Sequence, residues 1–95
     1  MNYKIELKKE AKKDLEALDK PVQKRVKELF DKLEKSDNPK VFGKQLSENL
    51  VKLWSYKVGK YRVIAEIQEN KLVILVVSVG KRETIYDKTD KRLNK

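Results

Sequence analysis

Between Leu72 and Val79 every residue except Ser78 is apolar. A strand with two apolar faces needs cover on both, so this run belongs in the middle of a sheet or inside a barrel-like curl. Two further runs precede it. Leu50 to Val58 holds Trp54, Tyr56 and Val58 at even spacing, and Tyr61, Val63, Ala65 and Ile67 carry the alternation on beyond Gly59-Lys60. Gly59-Lys60 and Glu69-Asn70 are both hairpin signals, so the three runs are expected to form an antiparallel meander.

The N-terminal half must supply the cover. Tyr3, Ile5 and Leu7 alternate with Lys4, Glu6 and Lys8, the period of a half-buried strand. The period then becomes helical with Ala11, Leu15 and Leu18. Asp19 and Pro21 interrupt that helix and begin another, on which Val22, Val26, Leu29, Phe30 and Leu33 form one apolar stripe. Ser36-Asp37-Asn38-Pro39 ends it, and a linker containing Gly43 runs to about Glu48. Asp87 to Lys95 is polar, either a short terminal helix or a frayed end. The order predicts an α+β fold: an N-terminal strand, a two-helix antiparallel hairpin on one face, and a three-stranded antiparallel meander in a curled sheet. With 95 residues there is room for one core only, so residues 1–95 are read as a single domain.

Composition narrows the chemistry. Lys and Arg number 24 against 15 acids, a net charge of +9 that points to a polyanionic partner. Residues 1–48 carry 13 bases and 10 acids, residues 49–95 carry 11 bases and 5 acids, so the excess is concentrated in the second half. There is no Cys and no His. Disulfide frameworks, thiolate nucleophiles, catalytic triads and nearly all transition-metal sites are thereby excluded, and neither a metal nor another cofactor is expected. Acid and base work falls to Lys, Arg, Tyr, Asp or Glu. The N-terminus alternates instead of forming an apolar signal region, and no run is long enough to span a bilayer, so a cytoplasmic protein without a membrane partner is expected.

The four Arg, at 25, 62, 82 and 92, stand out among 20 Lys. Arg62 lies on the strand face opposite Tyr61, Val63, Ala65 and Ile67. A two-residue turn at Gly59-Lys60 places Lys57 directly across from it, and like charges so paired cost a sheet roughly 0.2–1 kcal/mol. Either both side chains splay into water, or a phosphate sits between them, for which the Arg fork is well shaped. Gly80-Lys81-Arg82 follows the most apolar strand. A two-residue turn at Glu69-Asn70 puts Lys81 on the Arg62 face, whereas a three-residue loop or a bulge at Gly80 puts Arg82 there; parity alone leaves the choice open. Trp54 reads as core, with base stacking as the other role.

Taken together, Leu53-Trp54-Ser55-Tyr56-Lys57-Val58-Gly59-Lys60-Tyr61-Arg62-Val63-Ile64, Val77-Ser78-Val79-Gly80-Lys81-Arg82-Glu83 and Ile85-Tyr86 resemble the RelE/ParE superfamily of toxins, and its RelE branch in particular. The likeness extends over nearly the whole chain. It implies the toxin of a type II toxin-antitoxin system: a metal-independent endoribonuclease that cuts mRNA in the ribosomal decoding site and is held inactive by a cognate acidic, RelB-like antitoxin. Carried over by position, Arg62 matches the strand Arg at the scissile phosphate, Arg82 the Arg that stabilises charge or aids the leaving group, Tyr86 the proposed general base, and Lys57 one of two strand cations. The second of those cations falls at Ser55, which is uncharged; Lys52 and Lys60 are nearby substitutes at non-matching positions. The resemblance implies attack by the adjacent 2′-OH, which needs a base, charge stabilisation and help for the departing 5′-oxygen, and no metal. An ordinary tyrosine has a pKa of about 10, so this role for Tyr86 needs cations around it. The alternative for Tyr86 is a packing aromatic, and for Arg82 a cation on exposed carbonyls. Lacking His, the chain departs from sister toxins that use a C-terminal His.

Two other functions stay open. One, implied by the superfamily resemblance, is ParE-like inhibition of DNA gyrase. The other is a non-catalytic basic RNA-binding or ribosomal protein, in which Lys81, Lys52, Lys60 and the first-helix residues Lys8, Lys9, Lys12 and Lys13 bind phosphates generically. In the toxin reading these same Lys grip ribosomal RNA, or else form a solvated face.

Overall fold

The computed structural model describes residues 3–46 and 52–93. Strand β1 (Lys4–Leu7) leads into helices α1 (Lys9–Glu16) and α2 (Lys20–Lys35). A 3-10 turn (Pro39–Phe42) and a short strand β2 (Lys44–Gln45) follow, then the meander β3 (Leu53–Val58), β4 (Tyr61–Gln68) and β5 (Val73–Lys81), and helix α3 (Ile85–Leu93). The anticipated start of the first meander strand at Leu50 lies outside the described residues.

The five strands are ordered β1-β5-β4-β3-β2. The apolar strand β5 is therefore flanked on both sides, pairing with β4 antiparallel and with β1 parallel. The connection between these two parallel strands is long, as such a pairing requires, and runs through the α1–α2 hairpin and then β2, β3 and β4. The corner of the hairpin is closed by Gln23, whose Nε2 donates to Leu18 O at 2.7 Å and Glu16 O at 3.3 Å. On the edge strand, Ile5 N donates to the Glu34 carboxylate of α2 at 3.0 Å, occupying a backbone group that would otherwise invite another strand.

Both faces of the sheet are covered. Under the helical hairpin, Ala11, Val26, Phe30 and Leu33 pack against Tyr56, Val58, Val63, Ala65, Ile74, Val76 and Val79. On the other face Leu53, Ile64 and Val77 pack against Ile85 of α3. The expectation of helices on one face is thus corrected: the polar C-terminal stretch is a helix, and its Ile85 and Thr89 are buried against the sheet. The need for cover on both faces of Leu72 to Val79 is met by this third helix.

The β3–β4 turn is the two-residue Gly59-Lys60, with Gly59 at φ +58°, a left-handed conformation that favours glycine. The β4–β5 connection is longer than a two-residue Glu69-Asn70 turn, spanning residues 69–72, with Leu72 at φ 55°. A bulge then shifts the register: Ala65 pairs with Val76 but Ile64 with Ser78, leaving Val77 as the extra residue. Before the bulge the even residues Ile74 and Val76 face the hairpin; after it the odd residue Val79 does.

Candidate active site

The meander's turn end assembles the site. Lys57 and Arg62 are directly opposed across β3 and β4, as the turn predicts, and Arg62 is opposed in turn by Gly80 on β5. The bulge at Val77 is what sends Lys81 to the hairpin side, where it pairs with Tyr61 and lines a cleft with Asp14, Leu18 and Thr84. Arg82 consequently joins Arg62. Its N–H donates to Lys60 O at 2.9 Å, tying the end of β5 to the β3–β4 turn.

Lys57, Arg62, Arg82 and Tyr86 line one open cleft of about 370 Å³, together with Phe42, Gly43, Lys44 and Ser55. The four positively charged side chains face no carboxylate among these lining residues, so the cleft favours an anion. Arg62 is anchored by one nitrogen, Nη1, which donates to the carbonyls of Gly59 and Tyr61 at 2.8 Å each. That fixes the guanidinium at the turn while its other donors stay available for a phosphate. Tyr86, in the first turn of α3, is 38% exposed, and its hydroxyl lies 3.3 Å from Ser55 Oγ, which is itself nearly buried. Of the lining side chains only Ser55 and Tyr86 carry an acceptor oxygen.

The remaining basic positions lie elsewhere. Lys8, Lys9, Lys12 and Lys13 are exposed around the start of α1, and Lys60 is exposed in the turn. Lys52 lines a separate and larger cleft, about 720 Å³, with Lys40, Trp54, Glu66 and Glu69. Two carboxylates make that cleft a poorer phosphate site in spite of its size. Trp54 packs partly against the main core and has Lys40 Nζ 5.7 Å from its ring centre, so it serves the core while keeping an exposed edge. Among the described residues no group of carboxylates could hold a metal ion, and no helix is long and apolar enough to cross a membrane.

Phe42 and Lys44 are lining residues that sequence patterning passes over. Both fall in a segment that reads as linker. The 3-10 turn there is capped by Asn38 Oδ1, which accepts from Lys40 N at 3.3 Å, and it is fastened by the buried Tyr56, whose hydroxyl donates to Pro39 O at 3.0 Å. Gly43 lies so close to the Tyr56 ring that an added Cβ would come within 2.7 Å of it. Asn-Pro followed by a Gly was the only available signal, and it marks a turn without saying what the turn faces.

A five-stranded mixed sheet between a helical hairpin and a terminal helix is the fold of the RelE toxins. Residues 5–86 match the family model described as the ParE toxin of the type II toxin-antitoxin system parDE, and the chain belongs to this family within the RelE/ParE superfamily. Similar solved structures are RelE toxins. The toxin–antitoxin complex RelBE2 from Mycobacterium tuberculosis aligns with a TM-score of 0.78 at 24% identity, covering 86% of this chain and 100% of that one. A free E. coli RelE mutant aligns with a TM-score of 0.77 at 24% identity, covering 97% and 98%. The archaeal RelE–RelB complex from Pyrococcus horikoshii OT3 is 28% identical, with a TM-score of 0.68 and coverage of 86% and 97%. No curated protein matches by sequence.

Proposed function

We propose that this toxin is a ribosome-dependent endoribonuclease that cleaves mRNA in the decoding site by attack of a ribose 2′-OH on the adjacent phosphate. The observation that carries this reading is the convergence of Lys57, Arg62, Arg82 and Tyr86 in one cleft, from β3, β4, the end of β5 and α3. The 2′-oxygen forms a bond to phosphorus, the bond from phosphorus to the 5′-oxygen breaks, and a 2′,3′-cyclic phosphate remains on the upstream fragment. Tyr86 accepts the 2′-OH proton as the phenolate, and the departing 5′-oxygen takes up a proton from water. Arg62, held at its turn, binds the non-bridging oxygens; Arg82 and Lys57 stabilise the charge that grows on the phosphorane and on the departing oxygen. Arg82 acts electrostatically, since a guanidinium gives up its proton poorly.

A small cleft cannot by itself supply much substrate affinity. The ribosome holds the messenger, and the exposed Lys8, Lys9, Lys12 and Lys13, with Lys52, Lys60 and Lys81, provide the field that docks the toxin on ribosomal RNA. The inhibitor is a cognate acidic antitoxin of the RelB kind, as in the RelBE complexes this fold resembles. The protein works in the cytoplasm, where ribosomes are.

The test is cleavage of mRNA on programmed ribosomes, with 5′ ends mapped. Wild type should cut within the decoding-site codon, and Arg82→Ala should lose at least a hundredfold in rate while remaining folded. The family description as a ParE toxin favours one competing reading, inhibition of DNA gyrase. Intact ribosome-bound mRNA together with arrested gyrase supercoiling would establish that reading instead.

A further inference from the structure

Phe42 is 39% exposed, and it lines the same cleft as Lys57, Arg62, Arg82 and Tyr86. We infer that Phe42 is a stacking platform for a nucleobase next to the scissile phosphate, so that the cleft reads a flat base as well as a phosphate. This rests on the nuclease reading above and adds a subsite to it.

Three observations support the assignment. First, the backbone that carries the ring is held in place: its 3-10 turn is fastened by the Tyr56 hydroxyl on Pro39 O and by the closeness of Gly43 to the Tyr56 ring. A pre-set aromatic costs little entropy when a base settles on it. Second, Lys32 Nζ of α2 sits 4.3 Å from the Phe42 ring centre, and Lys32 is not a cleft residue. The ammonium therefore occupies one face of the ring, and a base stacking on Phe42 takes the other. Third, the ring lies beside Lys44, Lys57, Arg62 and Arg82. Cations beside an exposed aromatic are what a single-stranded nucleic acid requires, one set for the backbone and one surface for a base. An acidic peptide would use the cations and gain little from the ring.

The experiment uses the full toxin on ribosomes programmed with mRNA carrying 2-aminopurine in the decoding-site codon. A 2′-deoxy sugar at the scissile position blocks attack in the binding measurement. Stacking on Phe42 should quench the 2-aminopurine fluorescence. Phe42→Leu, which keeps apolar bulk without a π face, should lose the quench and raise KM for cleavage about tenfold with unchanged Tm, while Phe42→Trp should restore both. Equal quench and equal KM in Phe42→Leu and wild type overturn the inference, and weaker antitoxin binding by that variant would then make Phe42 a protein contact. Arg82→Ala separates the two levels. If it is inactive while wild type and Phe42→Leu cleave alike, only the stacking subsite fails; if wild type itself leaves the ribosome-bound mRNA intact, the nuclease reading fails and takes the subsite with it.

Discussion

Asp14 of α1 and Arg92 of α3 form a two-pronged ion pair, with Nη1 to Oδ2 at 2.7 Å and Nη2 to Oδ1 at 2.9 Å. The pair closes an open sheet edge. Strand β1 covers β5 only from Val73 to Val76, and beyond that point the backbone of β5 needs other partners. Val79 N donates to Asp14 Oδ2 at 3.1 Å, Arg92 donates to Val77 O at 3.1 Å, and Lys88 donates to Val79 O at 3.2 Å. The same clamp fixes the helix that carries Tyr86. Asp14→Ala is expected to destabilise the fold by about 2–3 kcal/mol, the loss for a nearly buried carboxylate with two cationic donors that regain some hydration. Urea unfolding gives the stability, and hydrogen exchange should show the α3 amides opening first.

Acid should reproduce part of that effect. Burial pushes the Asp14 carboxyl up, but the bonds from Arg92, Lys88 and Val79 N–H outweigh burial and hold it below its ordinary value. A carboxyl whose folded pKa is depressed contributes stability that is fully present above its unfolded pKa, near 3.9, and lost as pH falls through the lower folded value. The stability difference between wild type and Asp14→Asn should therefore be constant from about pH 7 to 5 and shrink below about pH 4. A difference that stays flat down to pH 2 would mean that Asp14 does not titrate with folding.

At the alkaline end the group to follow is Tyr56. Its hydroxyl is pushed up to about 12, first by burial and then by the neighbouring Tyr3. A raised folded pKa means stability that is intact below the unfolded value near 10 and lost as pH rises toward 12. Tyr56→Phe removes this limb, and it also removes the bond to Pro39 O, at a cost of about 1 kcal/mol at neutral pH. Denaturant midpoints for the two proteins between pH 7 and 11.5 should converge as pH rises.

How much of this could be read in the sequence differs from element to element. Alternation and helical periodicity were sufficient for β1, α1, α2 and the meander, because each buries one stripe with a simple period. Gly59-Lys60 was enough to oppose Lys57 and Arg62, since a two-residue turn leaves one register. The choice between Lys81 and Arg82 was beyond pattern reading. It depends on one extra residue, Val77, in a strand so uniformly apolar that either parity looks the same. The role of α3 was hidden for the opposite reason: it is mostly polar, held by Ile85, Thr89 and an ion pair to a residue far away in the chain. Phe42 and Lys44 were missed because a turn and a two-residue strand have no periodicity to detect.

Lys44 also answers the question raised by Ser55. The resemblance to RelE toxins puts a strand cation at Ser55, and here Lys44 on β2 is the residue directly paired with Ser55 and lines the cleft. The positive charge is thus expected to come from the neighbouring strand, while Ser55, 7% exposed, is used to hold the Tyr86 hydroxyl. Lys44→Ala should slow mRNA cleavage by about tenfold, comparable with Lys57→Ala, a loss of about 1.4 kcal/mol of transition-state stabilisation. Ser55→Lys should not raise activity. The new ammonium would displace the Tyr86 contact, face Lys44 across the strand pair and lose hydration, so a lower Tm and slower cleavage are expected. Cleavage rates and melting curves for the three variants check this, and a faster Ser55→Lys enzyme would show that the cation at that position is missing, not moved.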